Sequence, residues 1–285
     1  GWSGPVVTDD TIYVGTLEGD LRAIQVSTGD TEWIFELRGE SNQTGVYGTP
    51  FIVEGIIYFG GYDGQLYAVS RSGDTIWEEI VGNGDPIVGS AIWSDGLILV
   101  GSSDGYLYAF EADGGMERWR FPTGNKVWSG VAVEGGIAYF GSLDHNIYAV
   151  NVVDGSEVWR LHVGGAVAAT PLVLNGRVYV GSFDSVFYSI NATTGMVIWK
   201  FNEAKSWFWG KPISHNDTIY VPSLDGNLYA INSTNGDLKW TLGTDGPIVG
   251  SPVIIDDRIA VPSMDGRIHL VKLQDGRGHH ECNIG

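Results

Sequence analysis

One short pattern recurs seven times along this 285-residue chain, and that recurrence constrains the fold more than any other feature. Its fullest copy reads Ile219-Tyr220-Val221-Pro222-Ser223-Leu224-Asp225-Gly226-Asn227-Leu228-Tyr229-Ala230-Ile231-Asn232, followed by Asn235-Gly236 and Trp240. The place of Pro222 is held elsewhere by Gly15, Gly60, Gly101, Gly141, Gly181 and Pro262, at successive spacings of 45, 41, 40, 40, 41 and 40 residues. A period of this size, built from short β-branched and aromatic runs without helical patterning, predicts an all-β, seven-bladed β-propeller with four antiparallel strands per blade. No unit so small can hide its apolar faces alone, so the chain reads as one propeller domain rather than two. The expected blades are residues 1–38, 47–82, 88–124, 128–164, 168–204, 209–244 and 249–285. The longest departure from the period, residues 38–46, is polar and reads as a surface loop.

Each unit divides into four strands, A to D. Strand A is a short apolar run such as residues 91–93 or 131–133, and a turn such as Glu54-Gly55 or Asn175-Gly176 leads into strand B. Runs such as Ile57-Tyr58-Phe59 and Ile219-Tyr220-Val221, bounded by Gly and Asp, are strand signals. The B–C turn carries Asp63-Gly64, Asp104-Gly105, Asp144-His145, Asp184-Ser185, Asp225-Gly226 and Asp265-Gly266. Asp bonds its own backbone there and Gly accepts a positive φ. His145 stands where other copies have Gly, and reads as a solvated turn residue. A third turn is punctuated by Gly29, Gly73, Gly114, Gly155, Gly195, Gly236 and Gly276, and strand D ends in Trp33, Trp77, Trp119, Trp159, Trp199 and Trp240. A large apolar ring with one donor, repeated once per blade, suits packing between blades. These six are expected to be structural docking residues.

The seventh copy has His280 where the others have Trp. His279, His280, Glu281 and Cys282 are all ligand types, but neighbours on a strand point to opposite faces and cannot all converge. No metal site is therefore expected there. The remaining histidines, His145, His162, His215 and His269, are scattered through different blades. With strand A first and strand D last, no strand is exchanged between the first and last blades, leaving a seam expected to be the weakest interface.

The segments Ala23…Thr28-Gly29…Trp33, Ala149…Asp154-Gly155…Trp159 and Ala230…Asn235-Gly236…Trp240 resemble the tryptophan-docking repeat of the pyrroloquinoline-quinone-type propellers, over essentially the whole chain. The resemblance implies the propeller fold and two kinds of function. That family holds quinoprotein alcohol and glucose dehydrogenases, and also non-catalytic protein-binding scaffolds similar to the outer-membrane assembly lipoprotein BamB. The dehydrogenases usually have more blades, a bound calcium, an Asp base and often a disulfide between adjacent cysteines. Cys282 is the one cysteine here, so that disulfide cannot form. Calcium takes roughly six to eight converging oxygens, whereas the Asp-Gly acids are dispersed one per blade. The expectation is a non-catalytic scaffold without a cofactor, the alternative being a quinone-dependent oxidoreductase of alcohols or sugars that uses pyrroloquinoline quinone with calcium.

Charge narrows the partners. The net charge is −18, from 34 acidic against 16 basic residues, and the basic residues do not cluster. Phosphate backbones and anionic lipid both require concentrated positive surface, so nucleic acid and direct membrane docking are disfavoured. No signal peptide and no apolar run of about 18 residues is present. Sequons at Asn42, Asn191, Asn216 and Asn232 suit an extracellular, cell-surface or periplasmic protein. Walker, nucleotide-fingerprint, His-Glu-x-x-His and nucleophile-elbow motifs are absent.

Propeller topology puts the loops leading into strand A beside the B–C turns, around the mouth of a central channel. Those loops carry Trp2, Tyr47, Val88, Trp128, Ala168, Trp209 and Val249 above a collar of Ser3, Gly48, Gly89, Ser129, Ala169, Gly210 and Gly250. Lys211 is the charged residue of this set, and Trp207 and Phe208 add apolar bulk. Trp2, Tyr47, Trp128, Trp209 and Lys211 are thus the candidate site for a protein partner or small ligand, with Lys211 anchoring a carboxylate or phosphate. Aromatics that simply fill space between blades are the competing reading, and solvent exposure separates the two.

Overall fold

The computed structural model describes residues 4–38 and 45–283; Trp2 and Asn42 lie outside them. Every element among the described residues is a β-strand, gathered into seven four-stranded sheets. In the sixth repeat, strands A to D are Ile213–His215, Thr218–Pro222, Asn227–Asn232 and Leu238–Gly243, each antiparallel to the next. All seven sheets keep this order of four consecutive strands, so the fold is the all-β, seven-bladed propeller that the period predicts. Among the described residues, each sheet is made only of its own four consecutive strands.

Some strand limits differ from the expected ones: strand D continues past its tryptophan, as in Thr31–Glu36 and Thr75–Ile80, and two strands A shift by one residue. Strand A of the third blade is Ile92–Ser94 and that of the fourth is Ala132–Glu134, each starting one residue after its apolar run. The tight A–B turn sets pairing, placing Ser94 opposite Leu97, and register follows turn geometry rather than hydrophobicity alone. At that turn in the second blade, Glu54 and Gly55 have φ of 51° and 81°, the left-handed pair a two-residue hairpin needs.

Strand D shows why the repeat couples Ala to Trp. Ala23, Ala68, Ala109 and Ala230 pair directly with Trp33, Trp77, Trp119 and Trp240. The register slips immediately beyond each pair. A small residue leaves room beside the indole, and the bulge twists the strand so that the ring leans out of its own sheet.

The chain divides into two compact units, Gly1–Asp144 with Tyr148–Val158, and His145–Ile147 with Trp159–Gly285. Within each, the core is a set of layers between consecutive sheets. In the first unit, Ile57 and Phe59 of strand B pack against Tyr13, Leu21 and Phe35 of the preceding blade. Tyr58, between them, packs against Ile98, Val100 and Tyr108 of the following blade. In the second unit, Ile219 and Val221 face Tyr179 and Phe187, while Tyr220 faces Ile259 and Val261. Side chains alternate across a strand, so a sheet buried on both faces must be apolar at consecutive positions. This explains the unbroken apolar runs of strands B and C.

Candidate functional site

Two kinds of tie join successive blades, and both use residues of the repeat. The first is the indole. Trp33, Trp77, Trp119, Trp159 and Trp199 donate Nε1–H to the carbonyls of Arg71, Ala112, Val152, Ala192 and Ser233 in the next blade, at 2.8–3.2 Å. Each ring also lies flat on a glycine of that blade's third turn. A Cβ built on Gly73, Gly115, Gly155, Gly195, Gly236 or Gly276 would come within 2.6–3.0 Å of the corresponding indole, Trp240 included. In the third blade the facing glycine is Gly115, not Gly114 as the turn pattern suggests; a Cβ on Gly114 meets nothing within 4 Å. The four-residue step from glycine to strand-D tryptophan, constant in the other blades, is the signal that picks Gly115. Trp240 differs from its counterparts in that its buried Nε1 has no hydrogen-bond partner. The carbonyl in the corresponding place, that of Leu273, accepts the Tyr220 hydroxyl at 2.8 Å.

The second tie is the B–C turn aspartate. Asp63, Asp104, Asp144, Asp184 and Asp225 accept the hydroxyl of the tyrosine four residues on, Tyr67, Tyr108, Tyr148, Tyr188 and Tyr229, at 2.5–2.8 Å. Asp144, Asp184 and Asp225 also accept the backbone N–H of Gly124, Gly164 and Lys205 from the loop that ends the preceding blade, at 2.7–2.9 Å. Burial, then the hydrogen bond to a carboxylate, pushes the phenols of Tyr67, Tyr108, Tyr188 and Tyr229 well above the ordinary tyrosine range. Burial opposes ionisation of Asp225, but the donors from Lys205, Tyr229 and Asn227 outweigh it and hold its carboxyl below the usual value. His145 has φ 70° in its turn and is exposed, with its ring 6.2 Å from that of His162 and nearly parallel to it.

The loops leading into strand A do meet B–C turns within each unit. In the first unit the Tyr47 ring lies 5.0 Å from Tyr62, and Trp128 donates Nε1–H to Ser103 Oγ at 2.9 Å beneath the Lys126 ammonium. In the second, Phe183 of a B–C turn stacks on Trp207 at 4.5 Å and on Trp209 at 5.5 Å. Tyr47, Trp128 and Trp209 are half-buried, whereas Trp207 is 48% exposed. The small collar residues admit close backbone approach. A Cβ on Gly48 would sit 2.6 Å from the Gly89 carbonyl oxygen, and one on Gly89 would sit 2.4 Å from that of Ser129. Lys211 donates its backbone N–H to Ser251 Oγ at 3.1 Å. Its side chain is exposed, yet partial desolvation by the surrounding protein lowers its pKa below the usual lysine range. No carboxylate pairs with its ammonium among the described residues. Phe183 is the member of this aromatic group that sequence reasoning passed over, because it belongs to a turn remote in the chain from Trp207 and Trp209.

The aspartates that resemble calcium-loop fragments are engaged one per blade with tyrosine and backbone donors, so they do not gather into an oxygen cage. Among the described residues, the His, Cys, Asp or Glu ligand atoms that converge in a group of three belong to His269, His279 and Glu281. Two imidazoles and one carboxylate do not suit calcium, which takes oxygen ligands. This cluster therefore does not fit calcium. This cluster also corrects the grouping drawn from sequence. His280 and Cys282 alternate away from it, and the third ligand, His269, comes from the neighbouring strand by a pairing that adjacency cannot reveal.

Sheets docked one on the next through a strand-D indole and a turn glycine define a propeller of the quinoprotein type. Three stretches, residues 1–120, 103–206 and 183–281, match the family described as outer membrane protein assembly factor BamB, and the chain belongs to that family. No curated protein matches it. The crystal structure of BamB from Moraxella catarrhalis is similar over 99% of this chain and 88% of that one, with a TM-score of 0.81 and 20% identity. The computationally designed Ika8 protein is similar over 98% and 86%, with a TM-score of 0.82 and 16% identity. Both likenesses are likenesses of fold.

Proposed function

We propose that this chain is a non-catalytic propeller, working outside the cytoplasm, that holds a protein partner at the loops leading into strand A. The observation that carries the reading is Trp207. An indole 48% exposed, stacked on Phe183 in a chain that buries most of its aromatic rings, is a large apolar surface held rigid for contact. Trp209 extends the stack and Lys211 follows two residues later, so an apolar platform stands near a cation without a carboxylate partner. Such a pairing suits a peptide segment with an aromatic or proline anchor and an adjacent carboxylate. Partly dehydrated ammonium groups gain more from a charged hydrogen bond than solvated ones do. Membership of a family described as an assembly factor supports a protein rather than a sugar or an alcohol as the occupant. In the first unit, Tyr47 and Trp128 are candidates of the same kind on their own loops.

The test is a displayed peptide library selected on the wild-type chain and re-screened on Trp207→Ala, Trp209→Ala and Lys211→Met. Selected peptides should lose about tenfold or more in affinity for each variant, as expected of contact anchors. Peptides that bind all three variants as well as the parent would refute the site. Dye-linked oxidation of alcohols or sugars after adding pyrroloquinoline quinone and calcium would overturn the non-catalytic part of the reading.

A further inference from the structure

The seventh blade departs from the other six at two linked positions. The B–C turn aspartate is kept as Asp265, but the residue four places on is His269 rather than tyrosine, and strand D carries His280 in place of tryptophan. His269 lies on strand C, Arg267–Lys272, with its side chain 2% exposed. Its register partner on strand D, His280–Asn283, is Glu281. His279 precedes that strand by one residue and shares the face of Glu281, since positions two apart point the same way.

The hydrogen-bond geometry fixes which atoms are available. His269 Nε2 lies 2.8 Å from Asp265 Oδ2, and that carboxylate can only accept, so Nε2 carries the proton. The other nitrogen, Nδ1, then presents a lone pair. It faces His279 Nε2 at 2.7 Å and Glu281 Oε1 at 3.8 Å, and those two atoms lie 3.7 Å apart. Glu281 Oε2 is held from the far side by Arg267 Nη1 at 3.2 Å, which leaves Oε1 turned toward the histidines. Two imidazole nitrogens and a carboxylate oxygen thus surround one point. A tetrahedral zinc ion with bonds of about 2.0–2.1 Å sets its ligand atoms about 3.3 Å apart. The cluster reaches that spacing by opening one separation and closing two, each by about half an ångström. A carboxylate behind a ligating histidine is the usual outer partner that fixes its tautomer and raises its basicity.

We propose that His269, His279 and Glu281 form a binding site for one zinc-class divalent metal ion, with Asp265 orienting His269 and solvent completing the coordination. Imidazole and carboxylate together suit zinc and its neighbours rather than calcium or magnesium. His279 binds through Nε2 once its proton moves to Nδ1, so the shared proton of the metal-free pair gives way to the ion. His279 and Glu281 are partly exposed, at 36% and 39%, which leaves a solvent side for the fourth ligand and a route of access. The ion clips the final strand to strand C in the one blade whose strand D lacks the docking indole. The site shares no residue with the aromatic loops and does not depend on the function proposed for them.

The experiment uses the full chain without a histidine tag, stripped by chelator and titrated with zinc by calorimetry and with cobalt by visible absorbance. One ion per chain is expected, with a rise in the melting midpoint of the seventh blade's transition. His279→Ala and Glu281→Gln alter partly exposed side chains and should fold, as far-ultraviolet circular dichroism would verify. Each should weaken binding by about tenfold or more. His280→Ala and Cys282→Ser, on the other face, should bind as the parent does. Absence of zinc binding to the folded parent overturns the proposal. So does undiminished binding by His279→Ala and Glu281→Gln, or equal loss in the two control variants.

Discussion

Gly114 and Gly115 share one turn, and replacing each by alanine separates what the backbone asks of the repeat from what the indole asks. Both glycines are left-handed, with φ of 88° and 72°. Forcing an alanine into that region costs about 1–2 kcal/mol, offset by about 0.4–1 kcal/mol from the reduced freedom of the unfolded chain. Gly114→Ala adds nothing further, since its Cβ meets no atom within 4 Å. The Cβ of Gly115→Ala would sit 2.8 Å from Trp77 Cε3, so the ring must withdraw. Overpacking of this kind costs about 1–3 kcal/mol. Withdrawal also stretches the 2.9 Å hydrogen bond from Trp77 Nε1 to Ala112, a loss of about 1 kcal/mol. Gly114→Ala should therefore cost about 0.5–1 kcal/mol and Gly115→Ala about 2–4 kcal/mol, on the same principles.

Urea unfolding followed by tryptophan fluorescence and circular dichroism reads the difference. With a slope of about 3 kcal/mol/M, an extra 2 kcal/mol moves the midpoint by about 0.7 M. The control is Trp77→Ala, on which Gly115→Ala should lose its additional cost, because the two residues then no longer touch. Equal destabilisation by the two alanines, or an unchanged cost for Gly115→Ala without Trp77, would show that the indole does not dock on this glycine.

The remaining expectations follow from the same geometry. Tyr67, Tyr108, Tyr188 and Tyr229, bonded to turn aspartates and raised in pKa, hold their protons more tightly when folded, so their stabilisation is complete below the unfolded value of about 10 and is lost as pH rises through the folded value. The urea midpoint should be flat near pH 8–9 and fall above about 10, less steeply in Tyr108→Phe; phenols that titrate normally in the near ultraviolet would contradict this. Trp159→Phe removes the 2.8 Å hydrogen bond from the indole to the Ala192 carbonyl, whereas Trp240→Phe removes an N–H that has no partner. The first should therefore cost about 1 kcal/mol more in thermal or urea unfolding, and equal costs would refute the comparison. Lys211→Met removes an exposed ammonium that partial desolvation disfavours, so its melting midpoint should hold or rise slightly; a marked fall would show that the charge is paired.

Much of this fold was legible because each blade repeats the same local instructions. The forty-residue period gave seven sheets, and the Asp-Gly pairs gave the turns. The unbroken apolar strands also announced burial on both faces. The coupling of Ala to Trp was visible as text, but its reason, direct cross-strand pairing followed by a bulge, appears only once register is known. Gly114 and Gly115 both satisfy a turn; the constant four-residue step to the tryptophan singles out Gly115, and the contact with Trp77 supplies the reason. The aromatic loops were read correctly as neighbours of the B–C turns, yet Phe183 escaped notice because its partners lie more than twenty residues away in the chain.

The seventh blade marks the boundary most clearly. By itself the sequence determined that His280 replaces a docking tryptophan, since a periodic pattern makes any exception visible. It also determined that His279 and Glu281 share a face, since alternation along a strand is a local rule. That His269 faces them, with its free nitrogen turned their way by Asp265, was decided by the pairing of strands C and D. Such pairing is a long-range event, set by how turns fix register and how buried faces seek partners, and a linear reading of ligand types cannot supply it.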